Sequence, residues 1–232
     1  MPIIYQHNIN EATKLAVWEI TEPETFFLQQ VPLKKEVSHP HKRLQHLAGR
    51  YLLQVLYPGF PLDAIMVADT RKPFLESEQY HFSISHCGRH AAAIVSTTHR
   101  VGIDIEAITP RIEAMQHKFV GREEWDWMQK SLPLLSVALP QQKGLAPADF
   151  PSVLSAPLLT LLWSAKEALF KWYGSGQLDF KTHMQLSGLA LAGGQGFITM
   201  PFLFRRAPET SLSLCARFFE QQVLSWLATA IL

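Results

Sequence analysis

The chain has 232 residues with 21 Lys and Arg against 20 Asp and Glu, a formal net charge of +1, so it projects no broad field of the kind that non-specific nucleic-acid or membrane binding requires. Hydrophobic residues make up 47% and charged residues 18%; that balance excludes a globally disordered chain and leaves one large domain or two small packed halves. Its two cysteines, Cys87 and Cys215, form no CxxC pair, which argues against a disulfide scaffold or a cysteine zinc site and for reduced thiols.

Along the chain, the first ten residues lack a basic flank followed by an apolar run, and no window is long and apolar enough to cross a bilayer. The expectation is a cytoplasmic protein. Residues 41–56 (HKRLQHLAGRYLLQVL) set Leu44, Leu47, Ala48, Tyr51, Leu52 and Val55 on one face at helical spacing, and Pro58, Gly59 and Pro61 end that helix. Phe82 and Ile84, then residues 91–96, read as two short strands joined at the turn-forming Cys87-Gly88. Residues 101–105 read as another strand. On it Asp104 is two positions from Glu106, so both carboxylates face one side.

A helix is expected over residues 111–129, and another from about 158 to 173, ending at Gly174. Between them, residues 131–157 carry Pro133, Pro140, Pro147, Pro151 and Pro157, which reads as a long loop. Short strands fill the remainder. The segment from 211 to 232 is broken by Arg217, Glu220 and Gln221, which suits a strand pair or buried element better than a membrane helix. No period of 20 to 50 residues repeats, so solenoids and propellers are unsupported and the architecture is mixed α and β.

Three segments carry chemistry. Two carboxylates on one side of a strand, Asp104 and Glu106, repel unless a cation lies between them. Magnesium (Mg2+) is the natural candidate because it takes carboxylates together with substrate phosphates and water. Those two residues are equally the solvent-facing positions of an amphipathic strand. In WSAKEALFK (163–171), Glu167 and Lys171 are adjacent on a helical face. They read either as an ordinary ion pair or as a third metal ligand beside a lysine that neutralises phosphate charge. Trp163, Leu169, Phe170 and Trp172 around them are read as packing. In FSISHCG (82–88), Ser85 and His86 can grip a phosphate. They point to opposite faces of a strand, and no GxSxG elbow is present, so a serine hydrolase is not supported.

Taken in order, RKPFL (71–75), FSISHCG (82–88), VGIDIE (101–106), KFVGREEW (118–125) and WSAKEALFK (163–171) resemble the 4′-phosphopantetheinyl transferase superfamily. In detail they resemble its longer, surfactin-synthetase-activating type, and the resemblance spans roughly residues 40–175. It implies an α+β fold of two similar α/β halves packed about a pseudo-twofold axis in a single chain. The halves would be an N-terminal one (1–106) on the coenzyme A side and a C-terminal one (107–232) on the metal and carrier-protein side. Carried over residue by residue, it makes Asp104, Glu106 and Glu167 magnesium ligands and puts Lys171 near the reacting phosphates. Lys72 and Pro73 would line the adenine and ribose end of coenzyme A, Ser85 and His86 would contact its phosphates, and Arg43 is a partner for the 3′-phosphate.

The implied reaction is attack by a serine hydroxyl of an apo acyl or peptidyl carrier protein on the β-phosphorus of coenzyme A, releasing adenosine 3′,5′-bisphosphate. Glu167 is the expected base and Glu124 the alternative. A chain that carries both halves of the site can work as a monomer, and the near-neutral charge and lack of an apolar span give no reason to expect nucleic acid or membrane as partners. Cys87 stands where relatives often carry serine, and the proline-rich stretch lengthens the gap between the acidic motifs. A magnesium-dependent phosphohydrolase, and a binding protein for coenzyme A or a carrier protein that has lost turnover, are the alternatives.

Overall fold

The structure is a computed structural model that describes residues 2–33, 37–130, 155–192, 196–219 and 221–231. It mixes helices and strands and divides into two compact units. The first comprises Met1–Ile105, Lys171–Ser175 and Ala228–Leu232, and the second Glu106–Phe170 and Gly176–Leu227.

The first unit begins with two strands, β1 (Ile3–Asn10) and β2 (Thr13–Glu19), paired antiparallel. Along β1 half-buried and exposed residues alternate strictly, the period-2 signature of a strand at a sheet edge with one wet face. Leu15, Ala16, Val17 and Trp18 of β2 are all buried, as befits a strand paired on both sides. After a short helix α1 (Glu24–Leu28) comes α2 (Pro40–Leu56), which starts on a proline at its first position, where the missing N–H costs nothing. Its apolar stripe of Leu47, Ala48, Leu52 and Leu53 joins Trp18, Phe27, Phe60, Phe82, Ala91, Ala93 and Val95 in one core. At Gly49 an added Cβ would stand 2.5 Å from Ile84 Cγ2, so only glycine allows this helix to lie so close on the sheet.

Two minimal strands, β3 (Met66–Val67) and β4 (Pro73–Phe74), form a separate ladder. The hairpin expected around Cys87-Gly88 is present as β5 (His81–Cys87) and β6 (His90–Ser96), with Gly88 at φ 55° in its turn. The sheet order is β1-β2-β6-β5, antiparallel throughout. β7 (His99–Ala107) follows, and Ile103 N donates to Ser83 Oγ of β5 at 3.3 Å. Both cysteines are free thiols.

In the second unit the expected helix over 111–129 is two helices, α3 (Arg111–Met115) and α4 (Arg122–Lys130), with a 3-10 turn and a break between them. The break has a local cause: Glu124, three residues into α4, turns its carboxylate back to accept the N–H of Gly121 at 2.7 Å. That is the glutamate half of a capping box, which starts a new helix instead of continuing an old one.

The next described helix, α5 (Ser155–Tyr173), begins three residues earlier than expected, because Pro157 sits in its first turn, where proline is tolerated. The rest of the expected loop, residues 131–154, lies outside the described residues. Strands β8 (Met184–Leu186), β9 (Ala190–Leu191), β10 (Ile198–Phe204), β11 (Thr210–Phe219) and β12 (Gln222–Ala230) complete the chain. β11 and β12 are the strand pair expected near the C-terminus, and β10 pairs with β8, β9 and β11. Among the described residues no helix is long and apolar enough to cross a membrane.

Candidate active site

Within the first unit, three of the sequence-selected residues meet. Asp104 on β7 is 2% exposed, and a carboxylate this deep needs a cation and hydrogen bonds to stay ionised. It has both: Lys171 Nζ lies 2.7 Å from Asp104 Oδ1, and Ser85 Oγ donates to the same oxygen at 2.9 Å. Lys171 Nζ also donates to Ser85 Oγ at 2.8 Å, closing a triangle. β5 supplies the serine, β7 the aspartate and the last turn of α5 the lysine, which is drawn from 67 positions away in sequence.

His86, next along β5, is on the opposite, exposed face of the strand, as alternation requires. Its imidazole pKa is lowered by partial desolvation and then by the positive charge of Lys171, so it is a neutral ring at physiological pH. Arg43 on α2 grips Glu24 with two prongs, at 2.7 and 3.0 Å, and donates to Val37 O at 3.1 Å.

Lys72 and Pro73 line a pocket of about 500 Å³ within the same unit, together with Phe74, His81, Arg100 and Tyr173. Desolvation, followed by the nearby charge of Arg100, pulls the Lys72 pKa down to about 8. Its Nζ donates to Trp172 O at 3.3 Å.

In the second unit, Glu106 continues β7 two residues beyond Asp104 and is half-buried, and Glu167 is half-buried on α5. Glu124 is 1% exposed and is fully occupied. Lys166 Nζ lies 2.7 Å from its Oε1, Leu186 N donates to Oε1 at 2.8 Å, and Gly121 N donates to Oε2. Lys166, entirely buried, gives its other protons to Phe119 O at 2.7 Å and Phe180 O at 2.8 Å. Burial pulls its pKa down to about 8 against the opposing pull of Glu124. Trp163 packs edge-on against Phe119 and beside Phe180, the packing role its spacing suggested.

Sequence reasoning gave no role to Lys166, yet a signal existed. It falls at helical spacing on a stripe with Leu159, Leu162 and Leu169, all buried, and a lysine on an apolar stripe must find buried acceptors. Thr70 and Arg100 gave no such signal.

Hard carboxylate oxygen is the donor class that divalent magnesium prefers, and the cation on Asp104 here is the ammonium of Lys171. Among the described residues, no group of three His, Cys, Asp or Glu side chains converges on one point.

Asp104, Lys171 and Ser85 thus form one buried charged cluster, and the same unit holds the pocket lined by Lys72 and Pro73. The 4′-phosphopantetheinyl transferase superfamily profile matches residues 100–226, more than half of the chain, and the chain belongs to that superfamily. Enzymes of this class move phosphopantetheine, with coenzyme A as substrate and carrier proteins as acceptors. Among curated proteins, the chain is similar to the 4′-phosphopantetheinyl transferase AcpT of Escherichia coli O157:H7 and of Escherichia coli strain K12. Each is 26% identical over 173 residues, covering 69% of this chain and 79% of the relative.

Proposed function

We propose that the chain transfers the 4′-phosphopantetheine arm of coenzyme A to a serine of an apo acyl or peptidyl carrier protein. We further propose that it is a magnesium-dependent, monomeric, cytoplasmic enzyme of the surfactin-synthetase-activating type, with two similar halves, 1–106 and 107–232. The observation that carries this reading is the buried Asp104 with Lys171 and Ser85 on it, because it joins three motifs that are far apart in sequence into one charged site.

The residues divide the work by chemistry. Lys171 is a half-buried ammonium on a buried carboxylate; facing a pyrophosphate, it neutralises the charge that grows as the phosphoanhydride breaks, where low dielectric makes that contact strong. Ser85 orients Asp104 and offers a hydroxyl to phosphate oxygen. His86, neutral, donates or accepts a hydrogen bond without adding charge. Lys72 and Pro73 hold the nucleotide end and Arg43 the 3′-phosphate. For Arg43 this means exchanging part of its grip on Glu24 for the ligand.

Asp104, Glu106 and Glu167 would hold the magnesium ion, whose chemistry is charge neutralisation on the pyrophosphate. Glu167 takes the proton of the carrier serine. The occupancy of Glu124 by Lys166, Gly121 and Leu186 supports Glu167 over it as base.

Incubating apo carrier proteins with this enzyme, coenzyme A and magnesium, with a matched chelator control, tests the reading by mass spectrometry of the carrier. The expected result is one added phosphopantetheine on a serine, only with metal. Free phosphate with an unmodified carrier would replace this reading with hydrolysis. Glu167→Gln should abolish turnover and leave the unfolding transition in place; full activity in that variant removes Glu167 as the base.

A further inference from the structure

The end of α5 is held in a way the reaction chemistry leaves unexplained. A helix leaves its last four carbonyls without partners, and cations or hydroxyls are drawn to that negative end. Here three side chains of the first unit take three successive carbonyls. Lys72 Nζ donates to Trp172 O at 3.3 Å, Arg100 Nη2 donates to Tyr173 O, and Thr70 Oγ1 donates to Gly174 O at 3.0 Å.

The Arg100 guanidinium also lies over the Trp172 ring, 5.0 Å from its centroid, and the Trp172 indole N–H donates to Thr229 Oγ1 at 2.9 Å. Gly174 turns the chain at φ +73°, and an added Cβ there would stand 2.7 Å from Lys72 Cδ. Carbonyls, ring and turn are thus fixed within three residues of Lys171.

We propose that Arg100, with Thr70 and Lys72, is a clamp on the end of α5 that sets the position of Lys171 against Asp104 and Ser85. Arg100 is then a positioning residue that acts through Lys171, and its catalytic consequence rests on the reading of Lys171 given above. Lys171 reaches Asp104 Oδ1 and Ser85 Oγ at 2.7 and 2.8 Å, and it projects from the last turn, where helices fray. Without the clamp that turn is free to unwind, and hydrogen bonds of this length do not survive a shift of an ångström. Arginine suits the task better than lysine because one planar group bonds a carbonyl and stacks on an indole together.

The test combines competitive acetylation of lysines, read by peptide mass spectrometry, with kinetics on Arg100→Ala, Arg100→Lys and Thr70→Val. In Arg100→Ala, Lys171 should acetylate several-fold faster than in the parent, while the buried Lys166 stays protected. Its kcat for transfer should fall about tenfold, a misplacement effect, with KM for coenzyme A little changed. Arg100→Lys should recover part of the rate, and Thr70→Val should show the same pattern more weakly.

Unchanged Lys171 acetylation in Arg100→Ala overturns the clamp. So does a loss confined to KM, which would make Arg100 a ligand contact, and so does exposure of Lys166 along with Lys171, which would mean loss of fold. Lys171→Ala is the separate control. If it transfers at the parent rate, the reading of Lys171 fails, while acetylation still decides the clamp.

Discussion

At the scale of the residue, the central quantity is the free energy of Asp104. A carboxylate 2% exposed is tolerable because Lys171 and Ser85 lie on one of its oxygens; removing the cation leaves a charge that water cannot reach. Lys171→Ala should therefore cost stability as well as rate. The stability loss should be about 1–3 kcal/mol, the cost of an unsatisfied buried group, and the rate loss about a hundredfold. The sign of the coupling is more diagnostic than either number. Asp104→Ala with Lys171→Ala should be more stable to urea than Lys171→Ala alone, because the second change removes the stranded charge. Simple additivity would mean the pair is not a unit.

Lys72 makes the second residue-scale prediction. Its pKa of about 8 lies below the ordinary 10.5, so in the free protein it is charged below pH 8 and loses its proton above. An anion on Lys72 favours the charged form. Binding of coenzyme A above pH 8 should therefore take up a proton and weaken as pH rises. Calorimetry at pH 9 in two buffers of different ionisation enthalpy should show that uptake, and Lys72→Met should remove it; equal heats in both buffers for the parent would contradict it. The same sign governs stability: the cost of holding Lys72 charged is present below pH 8 and is relieved as pH climbs toward 10.5.

At the scale of the element, what could be read in the sequence was what is encoded locally. The helix over 41–56 and the hairpin at Cys87-Gly88 follow from apolar spacing and turn chemistry, and they are present with ends shifted by a residue or so. The expected continuous helix over 111–129 was broken by a side chain that reaches backward, Glu124 to Gly121 N. The sequence GREE carries that signal, but an apolar stripe alone does not. The candidate site was legible as motifs and illegible as contacts. Spacing pairs Lys171 with Glu167 on one helical turn, while its amine also reaches Asp104 from 67 positions away, and no local pattern encodes that. Lys166 shows the same limit: its three acceptors come from Phe119, Glu124 and Phe180, which only folding assembles. It ties α5 to α4 and to the Phe180 turn, all through one fully buried ammonium. Lys166→Ala should destabilise the protein by about 3–5 kcal/mol, because Glu124 is left charged and dry. Urea unfolding measures this directly, and a loss under one kcal/mol would mean that water or relaxation reaches the pair.

At the scale of the whole molecule, the chain passes between its two units four times, since Lys171–Ser175 and Ala228–Leu232 complete the first unit from far along the sequence. Those returning segments carry weight out of proportion to their ten residues. Lys171 is the cation for Asp104, and Trp172, Tyr173 and Gly174 are the acceptors for Lys72, Arg100 and Thr70. Ile231 N donates to Thr98 O, and Thr229 holds the Trp172 indole. A fragment of residues 1–105 retains the sheet β1-β2-β6-β5 and helix α2 but leaves Thr70, Lys72 and Arg100 without the acceptors that the returning segments supply. Because these losses leave several polar groups of the unit without partners at once, they should reduce cooperativity as well as stability. The fragment should unfold in urea with a shallow slope and should bind a hydrophobic dye, whereas the full chain should show a steep transition. A fragment that unfolds as steeply as the full chain would show that the first unit draws its stability from the sheet and α2 alone.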